Sequence, residues 1–132
     1  MREILQIDVI LDQVEIVSGA SGEAVMILFH GTFTCEAGKG MVLPGGVDTQ
    51  IQRQGEERIL SARYILEGID KDNQPFRIFV ENNGICRDGL PLTTSPVIYT
   101  DREELQWMER EKLTGTVESR GEGRVLIRIY RG

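Results

Sequence analysis

The chain has 132 residues, 40% hydrophobic and 27% charged, which suits one globular domain with its own core and excludes disordered and fibrous classes. Its 21 acidic against 15 basic residues give a net charge of -6, and no Lys/Arg-rich run appears, so the electrostatic footprint of a nucleic-acid binder is missing. Acidic and amide residues interrupt the apolar N-terminus, Met1-Arg2-Glu3-Ile4-Leu5-Gln6-Ile7-Asp8, which argues against a signal-peptide core or a membrane span; with only Cys35 and Cys86, the expectation is a cytoplasmic protein with two structural thiols.

In chain order, Ile4 to Ile10 and Val14 to Val17 read as two strands parted by Leu11-Asp12-Gln13. Val25, Ile27, Phe29 and Phe33 then share one face of a long strand. Gly38-Lys39-Gly40 and Gly45-Gly46 read as turns, since neither opens a helix as a phosphate-binding loop must. Val47 to Arg53 follows as a short extended segment. Ile59 to Leu66, the turn Asp70-Lys71-Asp72-Asn73 and Phe76 to Val80 make a hairpin, and Asn82-Asn83-Gly84 reads as a tight turn.

Pro96 to Thr100 is another short strand. Thr100 and Glu103 have capping-box spacing ahead of Leu105 and Met108, which predicts one short helix near residues 101–110. Leu113 to Val117 and Val125 to Tyr130 form a last hairpin around Ser119-Arg120-Gly121-Glu122-Gly123. With no strand–helix–strand rhythm and no repeat, the reading is all-β: a single domain over 1–132, an antiparallel barrel of about eight to ten strands. Closure is favoured over a sandwich because polar residues such as Asp48, Gln50 and Gln52, or Ser61 and Arg63, align on one face as a partly polar lumen would require; a wet outer face gives the same pattern.

Catalytic motifs are sparse. His30 is the only histidine, which excludes multi-histidine metal sites within one chain and leaves it as a structural hydrogen-bonder or a lone base. No cofactor motif is present. Asp48 and Gln50 follow the Pro-Gly turn, and Arg63 is placed to pair with Asp48 if their faces agree. Tyr99 and Trp107 either line the barrel mouth or plug it.

Leu43-Pro44-Gly45-Gly46-Val47-Asp48-Thr49-Gln50, with Ala62-Arg63-Tyr64, Asn83-Gly84, Thr94-Ser95-Pro96, Trp107 and Ile127-Arg128-Ile129-Tyr130-Arg131 in order behind it, resembles the pattern of domain-of-unknown-function family 3237. The resemblance implies a calycin-like, lipocalin-like barrel that forms dimers or higher homo-oligomers, with no established activity for the family at large. Carried over by position, Asp48, Gln50, Arg63, Tyr64, Asn83 and Trp107 become the candidate ligand-binding residues. The family pattern has an Arg before the Thr-x-Pro and an Asn two residues after the Trp, where this chain has Thr93 and Glu109; if those family residues hold a ligand, this chain is expected to bind something different or to bind nothing.

Three functions are consistent with these residues. The first is a barrel whose lumen binds a small organic molecule through Asp48, Gln50 and Arg63. The second is a cofactor-free isomerase, cyclase or hydratase using Asp48 as acid or base and Arg63 as anion stabiliser. The third is a non-catalytic homodimer built on outer apolar residues such as Phe79 or Leu126.

Overall fold

A computed structural model describes residues 1–132 as nine antiparallel strands and one 3₁₀ helix. The strands are β1 (Arg2–Ser18), β2 (Gly22–Cys35), β3 (Gly38–Val42), β4 (Val47–Arg53), β5 (Arg58–Ile69), β6 (Pro75–Cys86), β7 (Thr93–Thr100), β8 (Leu113–Ser119) and β9 (Arg124–Arg131); the helix, Glu103–Glu109, joins β7 to β8. β1 pairs with both β2 and β9, so the sheet closes into a barrel and leaves no free edge along most of its length. The thinnest seam lies between β7 and β8, which share only Thr93–Thr116 and Thr94–Gly115.

β3 and β4 act as one stave. Both lie antiparallel between β2 and β5, β3 along one half and β4 along the other. Thr32 faces Met41 and Leu28 faces Val47, so four steps along β2 answer to six along β3 and β4, and the Leu43–Gly46 segment inserts two extra residues. Gly45 takes φ +103°, a conformation that favours glycine, and a Cβ on Gly46 would stand 3.2 Å from Tyr64 Cβ and 3.3 Å from the Phe29 ring. The Pro-Gly-Gly stretch is thus a bulge that lets backbone pass close to the core.

β1 is one strand where two were expected. Leu11 faces Phe29 and Gln13 faces Leu28, leaving Asp12 as a bulged residue that resets the alternation, so Ile7, Val9 and Leu11 before it and Val14 and Ile16 after it fall on the same side. Two further expected turns are strand interior. Gly38-Lys39-Gly40 opens β3, and Asn82-Asn83-Gly84 continues β6 in register with β5 and β7.

The core is apolar and sits toward one end. Leu5, Ile7, Phe33, Leu66, Phe76, Ile78, Ile98 and Ile129 are fully buried there, and the 3₁₀ helix stops that end with Leu105 and Met108. The capping box does not form: Thr100 stays in β7, its hydroxyl donating to the Arg77 carbonyl and accepting from the Arg102 N–H, while the Glu109 carboxylate accepts from the Thr100 N–H at 3.0 Å. No helix is long and apolar enough to cross a membrane.

Candidate functional site

Away from the helix the barrel changes character. Residues paired across neighbouring antiparallel strands point to the same side, and one inward row runs Val14, Ile27, Asp48, Ala62, Asn82, Pro96. The next row toward the rim is Ile16, Val25, Gln50, Leu60, Gly84, Thr94. Val14 and Ile16 belong to this inner surface yet are 49% and 58% exposed, because β1 runs on past Ile10, where its pairing with β9 ends. This end of the barrel is open on that side.

Polar groups meet inside it. Asp48 and Asn82 stand on either side of the small Ala62, with Tyr64 one inward position deeper on β5. Tyr64, Asn82 and Thr94 are only 3%, 1% and 4% exposed, and Asp48 is half-buried. Gln50 donates its amide to Asp48 Oδ2 at 2.8 Å, whereas Asp48 Oδ1, Tyr64 Oη, Asn82 Oδ1 and Thr94 Oγ1 have no protein partner. Buried oxygens without partners are uncommon in native proteins, because each has given up water for nothing. Gly115 makes the space for two of them: a Cβ there would lie 2.2 Å from Thr94 Oγ1 and 3.4 Å from Asn82 Oδ1.

Electrostatics follow from burial. Loss of water pushes the Asp48 carboxyl above its usual range, opposed by the Gln50 hydrogen bond. Burial, and then the Asp48 charge, hold the Tyr64 phenol protonated far into the alkaline range. Burial also raises the Cys86 thiol, with Arg58 lowering it and Asp48 raising it further. At the rim Arg58 and Glu23 form an ion pair at 3.1 Å.

Of the six residues expected from sequence, the structure brings together three: Asp48, Gln50 and Tyr64. Arg63 faces outward, 66% exposed, with its Nε 2.9 Å from Glu81, so the expected Asp48–Arg63 pair does not form; Arg63 sits opposite Val47 on the outer face. Asn83 is also outside, accepting from the Ser61 hydroxyl and donating to Glu81. Trp107 lies in the helix at the closed end, with the Arg131 guanidinium 4.6 Å over its ring. Asn82 and Thr94 complete the cluster in their place. The alternation Phe76, Ile78, Val80 carries on to Asn82, and that is the signal that separates it from Asn83.

Other features stand apart from this cluster. A cleft of about 980 Å³ lies by the closed end, but its Arg102 and Asp70 already pair at 3.0 Å and its other polar walls are largely turn residues. His30 is exposed on the outer face, its Nδ1 2.7 Å from Asp12 Oδ1, in a smaller cleft with Arg120 and Arg124. Cys35 and Cys86 are free thiols near opposite ends of the barrel.

The fold recurs in proteins of known structure. A protein with unknown function from Clostridium acetobutylicum ATCC 824 is similar at a TM-score of 0.80 and 26% identity over 98% of this chain and 94% of its own. A conserved protein of unknown function from Rhodopseudomonas palustris has a TM-score of 0.79 at 23% identity, covering 98% and 95%. A beta-barrel like protein from Acinetobacter baumannii AYE has a TM-score of 0.74 at 17% identity, covering 98% and 93%. No curated protein matches the sequence. Residues 2–89, which hold β1 to β6, the Pro-Gly-Gly bulge and Asp48, Tyr64 and Asn82, match the family described as protein of unknown function (DUF3237), and the chain belongs to that family.

Proposed function

We propose that the protein binds a small organic molecule in the open end of its barrel, through Asp48, Gln50, Tyr64, Asn82 and Thr94, with apolar walls from Val14, Ile16, Val25 and Ile27. The observation that carries this reading is the set of four inward oxygens with no protein partner, gathered beside an inner surface that water reaches. Use of the lumen in this way would be lipocalin-like. Arg63 has no part in the site.

Native mass spectrometry of the protein from its own source tests this reading. A reproducible small adduct is expected on the wild type and on Arg63→Met, and is expected to be lost from a folded Asp48→Leu, Tyr64→Phe double variant. A bare chain in every case, or an adduct that the double variant keeps, would overturn the reading.

A second reading is a cofactor-free isomerase, cyclase or hydratase, and it is favoured by the desolvated, raised carboxyl of Asp48, which suits a proton donor or acceptor. In that case Tyr64 and Asn82, rather than Arg63, would meet the charge that develops on the substrate. Conversion of the bound molecule by wild type but not by Asp48→Asn separates this reading from binding alone.

The partner expected outside the barrel is a second copy of the chain. Leu126 is buried within the protomer, which removes it from the expected contact face, whereas Phe79 lies half-buried on the outer face beside the exposed Tyr99. A larger outer row runs through Val17, Ala24, Ile51, Ile59 and Ile85 on five adjacent strands, all exposed. Two unbridged thiols accord with work in the reducing cytoplasm.

A further inference from the structure

The open-end cluster is one-sided in its chemistry. All four unpartnered inner atoms are oxygens. Of the inward amide nitrogens, Gln50 donates to Asp48 and Gln52 to the Glu56 carbonyl, and Asn82 carries an amide nitrogen beside its unpartnered oxygen. Arg58, the cation that the register puts on the inner face here, is held by Glu23. The hydroxyls of Tyr64 and Thr94 can donate or accept, but a carboxylate oxygen and an amide oxygen can only accept. These oxygens favour a ligand that brings donors, and a carboxylate or phosphate would meet Asp48 with no free cation to offset it.

From this we infer that the open end takes the head of a protonated amine carried on an apolar body, the ammonium lying among Asp48 Oδ1, Asn82 Oδ1 and Tyr64 Oη and the body lying against Val14, Ile16, Val25 and Ile27. The inference rests on the lumen-binding reading and adds the charge class to it. An ammonium group brings three donors and no acceptor, which matches a lining rich in unpartnered oxygens, and its charge offsets a half-buried carboxylate that has no cationic side chain bonded to it. An alcohol brings one donor and lone pairs of its own. The net charge of -6 favours arrival of cations over anions from a distance.

The test is a titration of the isotopically labelled protein, followed by amide shifts, with n-hexylammonium, 1-hexanol and hexanoate in turn. The expected result is saturable movement of residues 48–50 and 82–84 with n-hexylammonium, weaker binding of hexanol, none of hexanoate, and a loss of about tenfold or more in amine affinity in Asp48→Asn, which keeps the side-chain shape. Equal or tighter binding of hexanol or hexanoate at the same residues would overturn the charge class and leave the lumen reading standing. Absence of all three from these residues would overturn both. A wild-type far-ultraviolet spectrum and cooperative melting of Asp48→Asn show that a lost affinity is not a lost fold.

Discussion

Asp48 has one oxygen bonded to Gln50 and one with no partner, and burial disfavours its charged form. Its folded carboxyl therefore holds a proton more tightly than in the unfolded chain. Relative to a group with no shift, it stabilises the fold fully only in acid, below the unfolded value, and that contribution is lost as pH rises through the raised folded value. Asp48→Asn is thus expected to melt higher than wild type at neutral pH, the difference shrinking to nothing in acid; calorimetry across that range checks it. Gly46 gives a second case, decided by space alone. Its Cβ would press on Tyr64 and Phe29, which themselves pack edge to face at 5.4 Å, so Gly46→Ala is expected to cost about 1–3 kcal/mol by denaturant unfolding. At this scale the sequence is legible wherever alternation is unbroken. Leu60, Ala62 and Tyr64 alternate inward, which places Arg63 outside with Ser61, and Phe76 to Val80 does the same for Asn82 against Asn83. Motif resemblance picks positions without regard to face, and Asn83 and Trp107 come from that source; Arg63 comes also from taking the polar face of Ser61 and Arg63 as the lumen, when the apolar face of Leu60, Ala62 and Tyr64 lines it.

At the scale of elements, apolar periodicity located most of the strands, because a wall that is buried on one face must alternate. What it missed were the interruptions. A bulge looks like a gap between two strands, as at Asp12, and glycines that allow backbones to approach look like turns, as at Gly38 and Gly40. The helix was legible from Leu105 and Met108, but its cap was not: Thr100 is claimed by β7 through its pairing with Ile78. Since Leu105 is fully buried against the closed-end core, Leu105→Ala is expected to destabilise by about 2–5 kcal/mol while leaving the open end intact. Urea titration would measure the loss. Amide shifts of residues 48–50 that match wild type would show that the two ends are independent.

For the molecule as a whole, division of labour follows from the distribution of side chains. One end carries packed aromatic and aliphatic residues under the helix, and the other carries the polar groups that stability alone would not select. The outside carries its own instruction. The exposed row from Val17 to Ile85 crosses five strands at about 4.8 Å each, a span of roughly 19 Å. Light scattering is expected to report a dimer or larger assembly for the native chain and a monomer for Ile59→Glu. A native monomer at micromolar concentration would remove this row from consideration as a contact. Closure of the barrel is expected from the alternation and the family resemblance, but this row is not, since it depends on which strands become neighbours far apart in sequence.

The bulge at Leu43–Gly46 carries a consequence for how this lumen can change over time. Two extra residues are an even number, so side chains before and after it keep the same parity: Val42 and Asp48 both face in. Loss of both glycines would shorten the detour yet leave Asp48, Gln50 and Gln52 on the inner side, whereas loss of one would turn all three to solvent and send Val47, Thr49 and Ile51 inward. The segment is a phase setter, and a single-residue length change there exchanges Asp48, Gln50 and Gln52 for Val47, Thr49 and Ile51 on one stave of the lumen, leaving Tyr64, Asn82 and Thr94 in place, without a single substitution.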